Sequence, residues 1–342
     1  MDEAGNTGEN LLDATQPVYA LAAIRVDAHA HAAITTALAR TQMPELKFQR
    51  LRSSSAGRRI ILELLKEVEP RPDTAAVMVV HKPWMLAAKL VDELIEPRML
   101  AKGVQMAWYK TGSARRMAHA VFALAPDALG DVYAELQATF VALLRDYSET
   151  RADAFLKALR RAKIVCVNEE MHDLLSVMID TPTEVREEFA TRRYALDPSL
   201  TALFCLAGHW SSFLAEPFEV VHDESIAVRR WATQLDEMIV ARGMTGEPPR
   251  PETLVVGEIV MPLPTMLQSI TFATSEHDKR VQLADVLAGC AAHLFAARTG
   301  AKPFDRFARD LERARVGDLS FIAVGPETDE VEATESESAA CR

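Results

Sequence analysis

The sequence predicts an α/β fold: a mixed sheet flanked by helices and interrupted by a large all-helical insertion. Three observations carry this. Near the start, short apolar runs alternate with segments of helical period. From about Ala125 to Leu214 almost every segment has helical period. After Leu214 the alternation of strand and helix returns. The chain is thereby divided into an α/β domain made from residues 1–124 and 215–325, a helical insertion at 125–214, and an acidic tail at 326–342.

Each element has its own reason. "PVYALAAIRV" (Pro17 to Val26) is a strand that follows a polar loop. "AGRRIILELLKEVE" is a helix with Ile60, Ile61, Leu64, Leu65 and Val68 on one face. "TAAVMVVHKP" is a continuous apolar run, as a strand covered on both faces requires. "PWMLAAKLVDELIEPRMLAKG" follows as a helix. In the middle, "GDVYAELQATFVALLRDY", "TRADAFLKALRRAK", "NEEMHDLLSVMI" and "LTALFCLAGHWSSFL" are helical, and only "KIVCV" also suits a strand. "EPFEVVHDES" is a strand running into the helix "SIAVRRWATQLDEMIVARG", which Gly243 ends. "GEPPRPET" is a loop. "LVVGEIV" and "MLQSITFAT" are strands, and "DKRVQLADVLAGCAAHLFAARTG" is a long helix. There is no internal repeat.

Composition narrows the function. The net charge is −11, and the tail "PETDEVEATESESAACR" holds six acids and one Arg, so it supplies −5 and leaves −6 for the body. Such a tail reads as disordered. An acidic body is a poor non-specific partner for nucleic acid, which needs clustered cations. Two local clusters suit phosphate contact: "FQRLRSSSAGRR", with Arg50, Arg52, Arg58 and Arg59, and "KTGSARR", with Lys110, Arg115 and Arg116. A solvated helix face or loop accounts for either equally. No run of about 18 apolar residues is present, so no membrane span is expected. Cys166, Cys205, Cys290 and Cys341 are scattered with no CxxC, which argues against a zinc site or disulfide framework and fits a reducing cytoplasm.

Chemistry centres on carboxylates. In the last long helix, apolar nearly all round, Gln282 and Asp285 share a face with Ala288, Gly289 and Ala292. A carboxylate there is costly unless paired, hydrogen-bonded or bound to metal. Asp223 ends a strand, where α/β folds place their sites, although Asp223 or Ser225 also suits an N-cap. Glu45 and Lys47, in "PELKF", read as a charged loop or as site residues. Asp2 and Glu3 run into a turn-forming Gly-Asn-Thr-Gly. Carboxylates from such distant positions make sense together around magnesium or manganese, which prefer oxygen ligands and support two-metal phosphodiester chemistry. Gln282 would orient a carboxylate or a phosphate.

"DEAGNTG", "ELK", "VVHDES" and "SEHDKRVQLADVLAG" occur in the order seen in the domain of unknown function 3800 family, which the chain resembles. That family begins with a DESG-type motif and ends with a QxAD-type motif. Here Ala4 stands where Ser is usual, and the helical middle is not covered. The resemblance implies an RNase H-like fold and a Mg2+- or Mn2+-dependent nuclease-like activity on phosphodiesters. It carries Asp2 over as the first-strand carboxylate, Glu45 as the second, Asp223 as the third and Asp285 as the last. Glu3 becomes an accessory acid, with Lys47 and Gln282 supporting, and Asp2, Asp223 and Asp285 the metal ligands. Arg52, Arg58, Arg59 and Lys110 are the expected nucleic-acid contacts. The other reading is a catalytically inactive RNase H-like binding or regulatory module, with a protein partner docked on the helical insertion. Only Met1 precedes Asp2, whereas a strand needs about five residues. The expectation is therefore a truncated first strand, with the native start upstream.

Overall fold

The computed structural model describes residues 1–5, 10–41, 43–101, 112–181, 196–214, 216–229, 252–256, 259–263 and 266–326. β1 (Asp2–Ala4) pairs antiparallel with β2 (Val18–Ile24). Gly5 leaves β1 at φ +71°, and a Cβ there would lie 2.0 Å from the Val18 carbonyl oxygen, so only glycine fits. α1 (Ala28–Thr41), α2 (Phe48–Arg52) and α3 (Ser55–Val68) lead to β3 (Ala75–His81), antiparallel to β2. α4 (Lys82–Leu90) passes through a π-helical turn at Val91–Ile95 into α5 (Glu96–Ala101).

Four helices follow: α6 (Ser113–Leu129), α7 (Asp131–Arg145), α8 (Glu149–Val165) and α9 (Glu169–Ile179). Then come α10 (Ser199–Leu214), β4 (Phe218–Asp223) and the short α11 (Ile226–Arg229). β5 (Glu252–Val256) and β6 (Ile259–Leu263) form an antiparallel pair, and β7 (Leu267–Ala273) lies parallel to β4. α12 (Lys279–Arg298), α13 (Arg306–Arg313) and β8 (Ser320–Val324), parallel to β3, complete the chain.

The described strands form a mixed α/β arrangement of small sheets: β1-β2-β3-β8, β4-β7 and β5-β6. Two hydrogen bonds link the first two. Met1 N donates to Val221 O at 2.6 Å, and Asp223 N donates to Met1 O at 3.1 Å. That is the bond pattern of a parallel bridge between Met1 and His222. Its register carries Asp2 to a position beside Asp223, on neighbouring strands about 4.8 Å apart.

Strict alternation explains why β2 and β3 read as unbroken apolar runs. Ala20, Ala22, Val77 and Val79 face a core built with α1, α3, α12 and α13. Tyr19, Leu21, Met78 and Val80 face the opposite core, where α10 packs through Leu206 and Trp210. Both faces are covered, so neither strand has a polar side. The small Ala side chains of β2 admit α12 closely.

The apolar clusters do not follow the 125–214 limits expected for a helical insertion. The helical cluster centred on Phe140, Phe155 and Met171 takes in Leu11, Trp84, Ala118 and Val121 as well. α10, by contrast, belongs to the sheet. "KIVCV" is helical through Val165, and "LVVGEIV" is divided between β5 and β6. Of the helix expected over "SIAVRRWATQLDEMIVARG", only α11 is described. Residues 327–342 of the acidic tail lie outside the described residues.

Candidate cation site

α12 is the spine of the site. Asp278 caps it by accepting from Arg280 N at 2.9 Å. One turn in, Gln282 is 1% exposed and joins two loops: its Oε1 accepts from Leu46 N at 3.0 Å, and its Nε2 donates to Ser275 O at 2.6 Å. Each bond satisfies a backbone group that regular structure leaves open. Gln282 therefore fixes the "PELKF" segment against the turn after β7.

That segment is extended at Lys47 (φ −126°, ψ 122°), so side chains alternate along it. Leu46 and Phe48 are buried in the core, while Glu45 and Lys47 face the acids. Phe48 lies directly on Gly289, where a Cβ would meet the ring at 2.1 Å. Gly289→Ala forces that ring away from α12 and is expected to lower stability by about 1–3 kcal/mol in chemical denaturation, the usual cost of overpacking. An unchanged midpoint would contradict the contact.

The carboxylates arrive from separate elements. Asp285 Oδ2 accepts from Phe48 N at 2.6 Å, at the start of α2, and its Oδ1 lies 4.0 Å from Lys47 Nζ. Asp223 Oδ2 lies 3.6 Å from the same ammonium, and Asp223 Oδ1 accepts from Ser275 N at 3.1 Å. Ser275 Oγ donates to Glu45 Oε2 at 2.9 Å. Asp2 is 4% exposed, accepts from Glu3 N through Oδ1, and leaves Oδ2 buried without a hydrogen-bond partner.

The electrostatics follow from this crowding. Burial pushes the Asp2 carboxyl up to about 8, with Asp285 and Asp223 adding repulsion. Burial raises Asp285 as well. Lys47 loses hydration, yet Asp285, Asp2, Asp223 and Glu45 together hold its ammonium above the ordinary lysine value. Lys47 is thus the cation on which the acids converge. Among the described residues no group of three or more His, Cys, Asp or Glu side chains is arranged to hold a metal ion. The donor set is nevertheless all carboxylate oxygen, which fits a hard divalent cation, and Asp2 Oδ2 is an orphaned buried acceptor of the kind such an ion satisfies. As the side chains stand, Lys47 occupies the space between Asp223 and Asp285.

The expected residues divide clearly. Asp2, Glu45, Lys47, Asp223, Gln282 and Asp285 come together. Glu3 does not join them. Asp2 pairs with Ala22 and Glu3 with Leu21, which belong to opposite cores, so adjacent side chains on β1 leave by opposite faces. Glu3 Oε1 instead accepts from Ser225 Oγ at 2.8 Å. Ser225 also accepts from Val228 N, so the cap of α11 is Ser225 and Asp223 is left to the site. Ser275 was not among the expected residues; a lone Ser in the polar stretch "TSEHDK" carries no signal of its own.

The expected nucleic-acid contacts are partly committed elsewhere. Arg58 donates to Arg52 O at 2.8 Å, stacks 5.4 Å from the Phe307 ring centre and faces Asp305 at 3.7 Å. Arg59 lies 3.8 Å from Glu63 on the same helix. Arg52 donates Nε to Gln49 at 2.7 Å. Lys110 lies outside the described residues. Among those described, no helix is long and apolar enough to cross a membrane. Set against protein-family models, curated proteins and solved structures, the chain matches none of them.

Proposed function

We propose that the protein is a divalent-metal-dependent phosphodiester hydrolase of the RNase H-like type. One observation carries the reading: Asp2 and Asp223 sit side by side at the β1–β4 junction, with Asp285 converging on the same cation from α12. The two Met1 hydrogen bonds that join the start of β1 to β4, on the side away from β2, support the reading. Asp2, Asp223 and Asp285 would hold Mg2+ or Mn2+, with Glu45 beside them. When bound, such ions supply Lewis acidity at a phosphoryl oxygen and lower the pKa of a bound water.

The chain's own contribution is positional. Asp285 and Gln282 hold the Glu45–Lys47 segment, Ser275 orients both Asp223 and Glu45, and Lys47 balances the acids with a charge that can reach a phosphate. A second reading, the inactive binding or regulatory module, is favoured by Lys47 itself, since it neutralises Asp223 and Asp285 without any metal.

The test is cleavage of labelled single-stranded and duplex DNA and RNA in Mn2+. Asp223→Asn and Asp285→Asn should each lower the rate by at least about a hundredfold, because even outer partners of metal ligands are worth about 10–100-fold. Wild type that binds Mn2+ and cleaves nothing supports the second reading. Cleavage intact in both variants overturns the first.

A further inference from the structure

Two turns along α12 from Asp285, a cavity of about 40 Å³ opens between α12, α2 and the end of β1. Among the described residues its polar lining is Gln16, Gln49, Arg52, His293 and Lys302, with no carboxylate. In a chain of net charge −11 that is a marked local reversal of sign. Ala292 and Ala296 leave the space open on the helix side.

Among the described residues its two cations have no close anionic partner. Arg52 is steadied by Gln49, and neither Arg52 nor Lys302 makes an ion pair within 4 Å among the described residues. Burial lowers the Lys302 ammonium, and the charge of Arg52 lowers it further; Asp13 is the acid that opposes this. His293 is lowered by burial, with Asp305 opposing and Arg52 and Lys302 adding to the effect. Its Nε2 stands 3.6 Å from Asp305, and its Nδ1 is buried without a hydrogen-bond partner. Two cations without an ion pair among the described residues, with an imidazole beside them around one small space, suit an oxyanion. The size agrees. A single water needs only roughly 10–15 Å³, so a cavity of about 40 Å³ has room for the oxygens of a phosphoryl group.

We propose that this cavity is a phosphate-binding pocket, with Arg52 and Lys302 as its charged donors, and that it takes a backbone phosphate of a single nucleic-acid strand. The pocket stands on its own lining, whereas its role as a subsite rests on the hydrolase reading above. Eight residues of helix separate Asp285 from His293, about 12 Å at 1.5 Å per residue. Along one strand that is a span of a few nucleotides. One strand would therefore present one phosphate to the acids and another to this pocket.

The test uses the full chain in EDTA, with inorganic phosphate titrated calorimetrically and a labelled single-stranded oligonucleotide followed by anisotropy across a salt series. Lys302→Gln and Arg52→Gln should each weaken phosphate binding about tenfold, the scale of one charged hydrogen bond. Each should also flatten the logarithmic salt slope for the oligonucleotide by about 0.7. Near-UV circular dichroism verifies the fold, and Arg52→Gln serves if Lys302→Gln does not fold. Wild type that binds no phosphate, or variants that bind it as wild type does, overturns the pocket. Phosphate binding with an unchanged oligonucleotide slope overturns the strand assignment, leaving a site for free phosphate. A protein that binds phosphate through Lys302 and never cleaves keeps the pocket and removes the hydrolase. Cleavage alongside unaltered phosphate affinity in Lys302→Gln does the reverse.

Discussion

Asp2→Asn is expected to make the protein more stable at pH 9, by on the order of 5 kcal/mol, and to remove the fall in stability that Asp2 itself contributes between about pH 4 and pH 8. The Asp2 carboxyl is held at about 8 in the fold against an ordinary value of 3.8. Across that interval the folded protein keeps a proton that the unfolded chain has released. Folding then takes up a proton, so stability falls as pH rises, by up to about 1.4 kcal/mol per pH unit. The contribution is fully present below about pH 4 and lost as pH passes about 8. Asparagine has the same shape and keeps an oxygen for the Glu3 amide, but it carries no charge. Thermal melts from pH 4 to pH 9 measure this directly. A variant as pH-dependent as wild type, or less stable at pH 9, would contradict the placement of Asp2. Manganese should mimic the substitution, stabilising wild type more as pH rises because the ion and the proton compete for one carboxylate.

Lys47→Met should have the second largest effect: a loss of about 3 kcal/mol at neutral pH without divalent ions, on the scale of breaking a buried ion pair. Its ammonium faces Asp223 and Asp285 at 3.6 and 4.0 Å, and both carboxylates are at least four-fifths buried. Methionine fills the volume of the stem but removes the charge on which the acids converge. The informative part is the rescue. If the acids form a cation site, millimolar Mn2+ should restore the lost stability and stabilise Lys47→Met more than wild type, since no ammonium has to be displaced. A variant that is destabilised but indifferent to Mn2+ makes Lys47 a structural counter-ion only. Denaturant titrations with and without the ion distinguish these outcomes.

Much of the layer order was legible in the sequence because burial writes itself into period. The runs Val18–Ile24 and Ala75–His81 are apolar without alternation because helices cover both faces of the sheet, and α12 lacks a polar face for the same reason. α1 was not legible. Its Ala-, His- and Thr-rich stretch buries only Ala30, Ile34 and Ala37, which leaves too narrow an apolar stripe to register. β8 is short and follows a charged helix, and nothing local distinguishes it from a loop.

The site was legible to the extent that its residues are chemically unusual where they stand. Asp285 in an apolar helix and Asp223 at a strand end each demanded a partner. What the sequence does not state is direction. Glu3 looks equivalent to Asp2 until β1 is paired, after which the pleat sends it to the opposite core and to Ser225. Lys47 looked like an accessory to the carboxylates, yet it stands at their centre, because Gln282 and Asp285 clamp the backbone on either side of it. The partner of Gly289 was equally invisible: a small residue shows that something approaches, and only the fold shows that it is Phe48.

On the proposed reading Asp2, Asp223 and Asp285 form one cation site, which Lys47 fills until a divalent ion displaces it. Anomalous diffraction from crystals soaked in Mn2+ tests it most directly. A manganese peak is expected within coordinating reach of Asp223 and Asp285, with the Lys47 ammonium moved off both. Crystals equilibrated with Mn2+ that show no peak at these acids, and Lys47 still between them, would contradict it.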